Sequence, residues 1–389
     1  MVSTVLLSGL SGMRIAHLIE SDGPGGAERV VAQLATGLQA AGAENVVFLP
    51  ERGEGWLAEQ LRGSGVAIEK FHVDRPVSPT CARSLTQAFR RHRITVAHSH
   101  EFSMAVYGAW AAWRAGIPHV ITMHGGRYYA GRLRRRLAMR AAIAMSGKTV
   151  AVSAPLAVAL TDDLSIAESR VQIIPNGVPR QRPERVSLRE ELRLTPNARL
   201  IVSVGNLYPV KGHVHLVDAV ARLADRHPSL HVAIAGRGDL EDDLAARARA
   251  HGLADRIHLL GLRSDISAIL AAADLFVLPS LSEGLPLAVL EAMFAGCPIV
   301  ASDVGEIATV LEEGRAGVLV EPANPAALAE AIDALLNDPT RAKNLGTRAA
   351  FRAVAEYDIS RMVRRYATVY QELVQRRMPV SARQRQVTA

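Results

Sequence analysis

The sequence predicts an α/β protein with two doubly wound domains in tandem, each a parallel sheet with helices on both faces. Short β-branched runs alternate with helical patterns along nearly the whole chain, which is typical of parallel sheets. At 389 residues the chain is longer than chains that usually fold around a single hydrophobic core. A polar, proline-bracketed linker at 175–196 separates the two sets. We therefore expect an N-terminal domain at 1–180 and a C-terminal domain at 181–357. Residues 358–389 are expected to form a helix that returns to the first domain, followed by a flexible tail.

In the first half, predicted strands alternate with predicted helices. The strands are expected at 14–20, 45–49, 66–72, 94–99, 118–123, 148–152 and 171–174. The helices are expected at 26–41, 55–63, 81–92, 102–115, 131–145 and 154–163.

The second half repeats this alternation. Its strands are expected at 199–204, 230–235, 257–260, 274–278, 298–301 and 317–320. Its helices are expected at 212–226, 240–251, 265–272, 286–296, 305–312, 325–337, 340–355 and 358–376. Two doubly wound domains in tandem usually hold a ligand in the cleft between the carboxyl ends of their strands.

The composition narrows the class of protein. A formal net charge of +7 is compatible with phosphorylated small molecules or an anionic membrane. A nucleic-acid partner is not expected, because aromatic residues make up only 4% of the chain and no zinc spacing or RNP-like segment occurs. Cys81 and Cys297 form no disulfide or metal pattern, which fits a reducing cytoplasm. No run of eighteen apolar residues occurs, so no membrane span is expected. Residues 1–12 are apolar without a basic start, and we interpret them as a floppy leader or a start-codon artefact rather than a signal peptide.

The most informative segment is 280–292, Ser-Leu-Ser-Glu-Gly-Leu-Pro-Leu-Ala-Val-Leu-Glu-Ala. Pro286 suits the first position of a helix, and Gly284 lets a ligand approach the backbone. The N–H groups of Leu285 and its successors would then lie at the positive end of the helix dipole, where phosphate binds. Glu283 and Glu291 flank this position. The segment therefore indicates either a sugar-nucleotide site or a capped amphipathic helix with two solvated glutamates.

Three other strand-to-helix loops contain glycine. The loop at 22–28, with Gly25 and Gly26, favours an anion at a helix start, although it is neither G-x-G-x-x-G nor a P-loop. The loop at 204–212 contains Lys211, whose ammonium would stabilise charge on a departing diphosphate. The loop at 234–239 contains Gly236 and Arg237, a possible phosphate or base contact. Each loop has a plain alternative, namely a simple turn or a surface lysine.

Three histidines end two adjacent predicted strands. His124 is followed by two glycines, and we expect it to hydrogen-bond to a bound sugar. His98 and His100 are better explained as structural histidines, because a metal site would need a third ligand and a carboxylate that the sequence does not identify. No nucleophile elbow or hydrolytic triad occurs. Asp-x-Asp, the usual carboxylate pair that holds Mg²⁺ on a diphosphate, is also absent, so no metal or other cofactor is expected.

The segment Arg127–Lys148 contains seven basic residues and no acidic residue. Its apolar residues do not form one clean stripe. They are Leu133, Leu137, Met139, Ala142, Ile143 and Met145. The segment indicates either a helix that docks on an anionic bilayer or lipid phosphate, or an ordinary surface helix rich in arginine.

Taken together, these motifs resemble the family four glycosyltransferases, which are retaining enzymes of the GT-B fold with two Rossmann-like domains. The resemblance covers nearly the whole chain in order. Its motifs are Gly25–Arg29, Thr122–Gly125, Ala151–Ser153, Ile174–Gly177, Gly205–Gly212 and Glu283–Glu291, the last being an E-x7-E pair.

The resemblance implies a role for each motif. Glu283 should contact the donor sugar, Glu291 the ribose, and Lys211 the diphosphate, helped by main-chain groups at Gly284–Pro286. Gly25 and Gly26 should border the phosphates or the acceptor, and His124 should contact the transferred sugar. The family often has an arginine where Asn206 stands, and Arg237 or Arg263 would have to compensate for its absence.

The resemblance therefore implies an enzyme that builds a cell-surface polysaccharide or glycolipid. It would be cytoplasmic, either free or at the inner face of the cell membrane. It would transfer a hexose from a UDP- or GDP-sugar to a glycan or lipid-linked acceptor, with retention of configuration. Two other functions remain open: a sugar-nucleotide epimerase on the same scaffold, and a non-catalytic protein that binds anions or membranes.

Overall fold

A computed structural model of the chain describes residues 10–73, 78–180 and 188–377. The chain divides into two compact units. Unit 1 consists of the residues up to Gly177 and those from Ile359 onward, and unit 2 is Val178–Asp358. The sequence places these transitions at 180/181 and 357/358. Part of the expected linker, 181–187, and the expected tail after 377 lie outside the described residues, as do residues 1–9 of the expected leader.

Unit 1 contains a seven-stranded parallel sheet with the order β3-β2-β1-β4-β5-β6-β7. Its strands are β1 (Arg14–Leu18), β2 (Glu44–Pro50), β3 (Ala67–Phe71), β4 (Val96–His100), β5 (His119–Met123), β6 (Lys148–Ala151) and β7 (Val171–Ile173). Its helices are α1 (Gly26–Ala40), α2 (Trp56–Gln60), α3 (Pro79–Arg91), α4 (Glu101–Ala115), α5 (Leu133–Met145), α6 (Ala154–Leu164) and, at the end of the chain, α15 (Ile359–Arg377).

Unit 2 contains a six-stranded parallel sheet with the order β10-β9-β8-β11-β12-β13. Its strands are β8 (Arg199–Val204), β9 (Leu230–Ala235), β10 (Ile257–Leu259), β11 (Leu275–Leu278), β12 (Ile299–Ser302) and β13 (Val318–Val320). Its helices are α7 (Leu188–Glu191), α8 (His213–Leu223), α9 (Glu241–Ala250), α10 (Ile266–Ala271), α11 (Leu287–Phe294), α12 (Ile307–Val310), α13 (Pro325–Asn337) and α14 (Pro339–Glu356).

The predicted α/β fold class and the order of its elements are confirmed. Strands such as β5 and β11 are buried along their whole length, because helices cover both faces of a parallel sheet. In both sheets the chain order reverses at one point, between β1 and β4 in unit 1 and between β8 and β11 in unit 2. Loops that leave two such strands run in opposite directions and open a crevice where ligands usually bind.

The final helix packs on unit 1, as the sequence predicts. The Tyr366 hydroxyl lies 3.0 Å from Thr122 Oγ1, and the Tyr370 hydroxyl lies 2.7 Å from His98 Nδ1. Both tyrosines are buried. Because a buried phenol is costly without a partner, these bonds fix α15 in position on the sheet.

Three local predictions are wrong. Leu10 is fully buried, so residues 10–12 are part of the packed fold rather than a floppy leader. The end of the expected linker forms α7, because Leu188 is buried and Arg189 pairs with Asp274 at 2.5 Å within unit 2. Pro286 precedes α11 with an extended ψ of 124° and is its N-cap, not its first helical residue.

Among the described residues, no helix combines the length and apolar character that crossing a membrane requires.

Helix α14 approaches the end of α11 at a glycine. A Cβ added at Gly346 would lie 2.2 Å from the carbonyl oxygen of Gly296, directly after α11. A backbone oxygen cannot move aside as a flexible side chain can. Gly346 therefore sets the distance between α14 and the helix that carries Glu291.

We predict that Gly346→Ala destabilises the protein by about 1–3 kcal/mol, the usual cost of overpacking. Alanine favours a helix by up to about 1 kcal/mol over glycine, so the clash must outweigh that gain. The matched control is Asn344→Ala, an exposed position on the same helix, which should leave stability unchanged or slightly raised. Urea unfolding monitored by circular dichroism measures both variants, and equal midpoints would contradict the proposed contact.

Candidate active site

The reversal point of the unit 2 sheet brings two loops together. One loop follows β8 and contains a 3₁₀ turn, Pro209–Lys211. The other follows β11 and contains Glu283. The N–H of Leu281 donates to the carbonyl of Val210 at 2.8 Å, so the loops are joined through their backbones. Residues far apart in sequence are thereby held side by side at one edge of the sheet.

Lys211 and Glu283 form an ion pair across these loops. Lys211 Nζ lies 2.7 Å from Glu283 Oε1, and the Ser280 hydroxyl donates to the same oxygen at 2.7 Å. The Glu283 side chain is only 7% exposed, and that of Lys211 is 26% exposed. Glu283 Oε2 accepts no hydrogen bond from the residues that the structure describes. The pair thus offers a cation and an acceptor oxygen at one position.

The glycine after Lys211 is required by the backbone. Gly212 has a φ of +66°, and a Cβ there would lie 2.0 Å from the carbonyl oxygen of Pro279. The neighbouring His213 is buried, and its Nε2 donates to the carbonyl of Gly205 at 3.3 Å. Burial lowers the pKa of His213 to about 4, so it is a neutral ring that secures the loop.

The loops after β8 and β9 also lie against each other. A Cβ at Gly236 would lie 1.9 Å from the carbonyl oxygen of Gly205, and the Leu207 N–H donates to the Arg237 carbonyl at 2.9 Å. Gly236 and Arg237 are therefore next to the loop that contains Asn206 and Lys211. The Arg237 side chain is exposed, and that of Asn206 is half-buried.

Arg263, one candidate to replace the missing arginine at position 206, is already paired with two carboxylates. Its guanidinium lies 2.7 Å from Asp265 Oδ2 and 2.6 Å from Glu191 Oε1. These carboxylates raise the pKa of Arg263 above its ordinary value. Binding a phosphate with this side chain would require breaking both ion pairs.

The start of α11 differs in detail from the sequence prediction. Pro286 is the N-cap, Leu285 is buried, and the Gly284 carbonyl accepts the Glu306 N–H at 3.1 Å. Glu291 lies inside the helix and is half-buried. Both glutamates of the E-x7-E pair therefore belong to one loop-and-helix element of unit 2.

In unit 1, Gly25 is the N-cap of α1 and Gly26 its first residue, as expected for the loop at 22–28. A carboxylate of the same helix lies beside this helix start, since a Cβ at Gly25 would lie 2.2 Å from Glu28 Oε2. Burial raises the pKa of Glu28. An anion approaching Gly25 would therefore meet this carboxyl group, whereas the space around Gly26 is open.

The histidines form a buried network. His98 Nε2 lies 2.7 Å from Thr122 Oγ1, and His100 Nδ1 lies 3.0 Å from His124 Nε2. His100 Nε2 also lies 3.4 Å from Nδ1 of a further histidine, His17 of β1. The interpretation of His98 and His100 as structural histidines agrees with this, because all four of their ring nitrogens are hydrogen-bonded.

His17, His98 and His100 place one ring nitrogen each within 4.8 Å of one another. A metal ion bound there would have to displace one of the two bonds of His98, either that to Thr122 or that to Tyr370. No acidic side chain belongs to this group among the described residues. The arrangement therefore favours a hydrogen-bonded network over a metal site.

Sequence reasoning missed His17, Ser280 and Glu101. His17 lies in the apolar strand β1, which is the neighbour of β4 in the sheet. Only this strand order places His17 next to His100. Ser280 lies at the start of the 280–292 segment, where no sequence pattern predicts a role for it. Glu101 begins α4 with a φ of +65°, and its Oε1 accepts the main-chain N–H of His124 at 2.9 Å. The one sequence signal for Glu101 was its position directly after His100, a histidine at the end of a strand.

The basic segment forms α5 with two different apolar faces. Met139, Ala142 and Ile143 are buried, whereas Leu133 and Leu137 are 69% and 56% exposed. This explains why the sequence shows no single stripe.

The arginines of the segment also divide into two groups. Arg127 pairs with Asp163 at 2.5 Å. The side chains of Arg132, Arg134 and Arg136 make no hydrogen bond or ion pair to any described residue. One surface of the helix therefore combines exposed leucines with uncompensated positive charge.

Two family models match the chain. The model described as "Glycosyltransferase Family 4" matches residues 24–182, and the model described as "Glycosyl transferases group 1" matches residues 184–352.

Known proteins agree with these matches. An alpha-maltose-1-phosphate synthase of Mycobacterium tuberculosis is 31% identical over 333 residues, which cover 76% of this chain and 83% of that protein. The UDP-Gal:alpha-D-GlcNAc-diphosphoundecaprenol alpha-1,3-galactosyltransferase of Escherichia coli is 29% identical over 61% of this chain and 65% of that protein. A crystal structure of Anabaena HepE in complex with UDP matches with a TM-score of 0.81 at 23% identity, covering 93% of this chain and 100% of that one.

Models of one family cover both halves of the chain, and a relative above 30% identity is matched over most of its length. The chain is therefore a member of the group 1 glycosyltransferases of family four, with the two Rossmann-like domains of the GT-B fold.

Proposed function

We propose that this glycosyltransferase moves a hexose from a nucleoside diphosphate sugar to a hydroxyl of a glycan or lipid-linked saccharide, with retention of configuration. The observation that carries the proposal is the ion pair of Lys211 and Glu283 at the reversal point of the unit 2 sheet. A cation and a carboxylate at one point suit a ligand that has a pyrophosphate beside sugar hydroxyls.

The ammonium of Lys211 stabilises the leaving group. A pyrophosphate carries more negative charge than one carboxylate, so it draws the ammonium toward the bridging oxygen when the donor binds. Negative charge builds up on that oxygen as the sugar–oxygen bond breaks, and a fixed cation there lowers the barrier. Ser280 still holds Glu283, whose Oε2 then accepts a hydrogen bond from a hydroxyl group of the donor sugar.

The other site residues have supporting roles. Main-chain N–H groups of Gly284 and Leu285 assist with the diphosphate, which Pro286 borders, and Glu291 accepts hydrogen bonds from the ribose hydroxyls. Asn206, Gly236 and Arg237 border the nucleotide, and Gly25 and Gly26 border the phosphates or acceptor. His124 contacts the transferred sugar.

We further propose that no metal ion is required. The acceptor hydroxyl attacks the anomeric carbon on the face that the diphosphate leaves, and its proton passes to the departing phosphate oxygen. Lys211 and the N–H groups at the start of α11 then supply the positive potential that Mg²⁺ supplies elsewhere.

The relatives guide the choice of substrates. The Escherichia coli relative is named for a UDP-sugar donor and a diphospholipid acceptor, and the Anabaena structure contains UDP. We therefore propose UDP as the first nucleotide to test and GDP as the second. A lipid-linked acceptor would place the enzyme in cell-surface polysaccharide or glycolipid synthesis.

A lipid-linked acceptor also gives α5 a function. Exposed Leu133 and Leu137 would enter the interface of an anionic bilayer, while Arg132, Arg134 and Arg136 pair with lipid phosphates. This would hold the enzyme peripherally on a membrane, at its cytoplasmic face if the acceptor is assembled there.

An epimerase on the same scaffold remains the alternative activity. It would convert a sugar nucleotide without any acceptor, and NMR of UDP-N-acetylglucosamine incubated with the enzyme alone would reveal the second epimer. A non-catalytic anion- or membrane-binding protein would give neither epimer nor transfer.

We predict that Lys211→Ala and Glu283→Ala each lower turnover by about 10²–10³-fold, the usual effect of removing one preorganised electrostatic contact. The control Lys343→Ala removes an exposed lysine of α14 in the same unit and should retain full activity. Release of UDP or GDP from a panel of sugar nucleotides measures turnover, and thermal unfolding verifies the fold. Near-normal rates in both site variants would refute this site.

A second prediction concerns the membrane surface. Arg134→Glu with Arg136→Glu should abolish cosedimentation with vesicles that contain anionic phosphatidylglycerol, because two positive charges become negative. The matched control, Arg62→Glu with Arg83→Glu, makes the same change at exposed positions elsewhere on unit 1 and should bind as the wild type does. Equal loss in both pairs would indicate a nonspecific charge effect and contradict docking through α5.

A further inference from the structure

His124 and Glu101 share an unusual property. Among the described residues, five buried side-chain nitrogen or oxygen atoms have no hydrogen-bond partner, and His124 Nδ1 and Glu101 Oε2 are two of them. The same two residues are joined, since Glu101 Oε1 accepts the His124 main-chain N–H at 2.9 Å. A buried unpaired polar atom is costly, so two at one place call for an explanation.

The explanation for His124 Nδ1 begins at Asn45, whose side-chain orientation is fixed. Its Nδ2 lies 3.1 Å from the Ala43 carbonyl, which only accepts hydrogen bonds. It also lies 3.3 Å from Gln39 Oε1, an oxygen that accepts the Asn45 main-chain N–H at 3.0 Å. The amide nitrogen of Asn45 must therefore face these groups, and its Oδ1 must face His17.

This orientation sets the direction of every later bond. Asn45 Oδ1 is an acceptor, so His17 Nε2, 3.2 Å away, must be the protonated nitrogen. Nδ1 of a neutral His17 then accepts from His100 Nε2 at 3.4 Å. Nδ1 of His100 in turn accepts from His124 Nε2 at 3.0 Å. The chain ends at His124 Nδ1, which is left with a lone pair and no proton.

The argument requires neutral rings, and burial provides them. It lowers the pKa of His17 and of His124 to about 4 and holds that of His100 well below its ordinary value. Each ring at neutral pH therefore has one N–H and one lone pair, as the chain of bonds demands.

We propose that Asn45, His17 and His100 are positioning residues that hold His124 in its Nε2–H tautomer, so that Nδ1 serves as a hydrogen-bond acceptor for a hydroxyl group of the substrate sugar. This inference rests on the proposed function in one respect, the contact between His124 and the sugar. It adds the protonation state of that contact and the residues that impose it.

Glu101 supports the same histidine from the backbone side. Its φ of +65° is uncommon for a residue with a side chain, and the conformation places its carboxyl group against the His124 N–H. The ring of His124 is thus held through Nε2 and its main chain through N–H, which leaves Nδ1 as the one ring nitrogen of this residue without a partner.

The substrate group is identified by this polarity. A bare imidazole nitrogen pairs only with a hydrogen-bond donor, and the donors that a neutral hexose offers are its hydroxyl groups. A deoxy sugar that lacks the contacting hydroxyl would leave Nδ1 unpaired in the complex, and so would bind less well.

The first test determines the His124 tautomer in the wild-type chain. In full-length protein labelled with ¹⁵N-histidine, long-range ¹H–¹⁵N NMR distinguishes protonated from unprotonated ring nitrogens, and loss of signals in His124→Gln assigns the resonances. We expect unprotonated Nδ1 and protonated Nε2 for His124 at neutral pH. A protonated Nδ1, or a mixture of the two tautomers, overturns the proposal.

The second test breaks the chain at its far end. Asn45→Leu removes the acceptor for His17, so His124 should become a mixture of tautomers and kcat/KM for the sugar nucleotide should fall about tenfold. The control Ser99→Ala breaks the separate bond to His119, 2.8 Å long, in the same sheet and should leave the His124 tautomer unchanged. An unchanged tautomer in Asn45→Leu refutes the positioning role, and if that variant does not fold, the wild-type spectrum decides.

These outcomes separate the two proposals. The NMR measurement requires no catalysis, so a single fixed tautomer in a protein without transferase activity would refute the proposed function and leave the positioning role intact. Normal transfer by Asn45→Leu with a mixed tautomer would refute the positioning role and leave the proposed function intact. The enzyme would then work without a fixed acceptor at His124.

Discussion

The ion pair between Lys211 and Glu283 is the interaction on which the candidate site depends. It exists because β8 and β11 are neighbours in the sheet although six secondary-structure elements of the chain lie between them. Backbone contacts at Val210 and Gly212 hold the loops in place, so the pair is set by the fold rather than by flexible side chains. A half-buried pair of this kind contributes little stability, because desolvation offsets its attraction. Under the proposed function, its contribution is a fixed positive charge at the position assigned to the phosphates.

Much of the fold could be predicted from the sequence because parallel sheets leave a strong pattern. Buried strands are short apolar runs, and the helices between them have a period of 3.6 residues, so the strand and helix positions were readable. Helix ends were less readable: Pro286 fits both an N-cap and a first helical residue, and only its ψ distinguishes them. The extent of the linker was also misjudged, because the burial of Leu188 and the ion pair of Arg189 are tertiary effects.

Prediction of the site residues from the sequence was limited by tertiary contacts to a greater extent. Lys211, Glu283 and Glu291 lie in motifs whose spacing is local, so the sequence could nominate them. His17 and Asn45 belong to β1 and β2, and their link to His124 crosses four strands of the sheet. No local pattern reports such a link, since the side chains meet only after the strand order is known. Arg263 illustrates the opposite error, because its two carboxylate partners are invisible until the chain is folded.

The docking of α15 has a consequence for how the chain matures on the ribosome. Unit 1 is assembled from the first and last parts of the polypeptide, and His98 and Thr122 obtain their phenolic partners only from Tyr370 and Tyr366. Unit 2 is synthesised in between and can fold as soon as it emerges. The sheet of unit 1 is synthesised earlier and keeps these polar core groups unmatched until α15 has been synthesised. A nascent chain that lacks α15 therefore presents a complete unit 2 together with an unfinished unit 1.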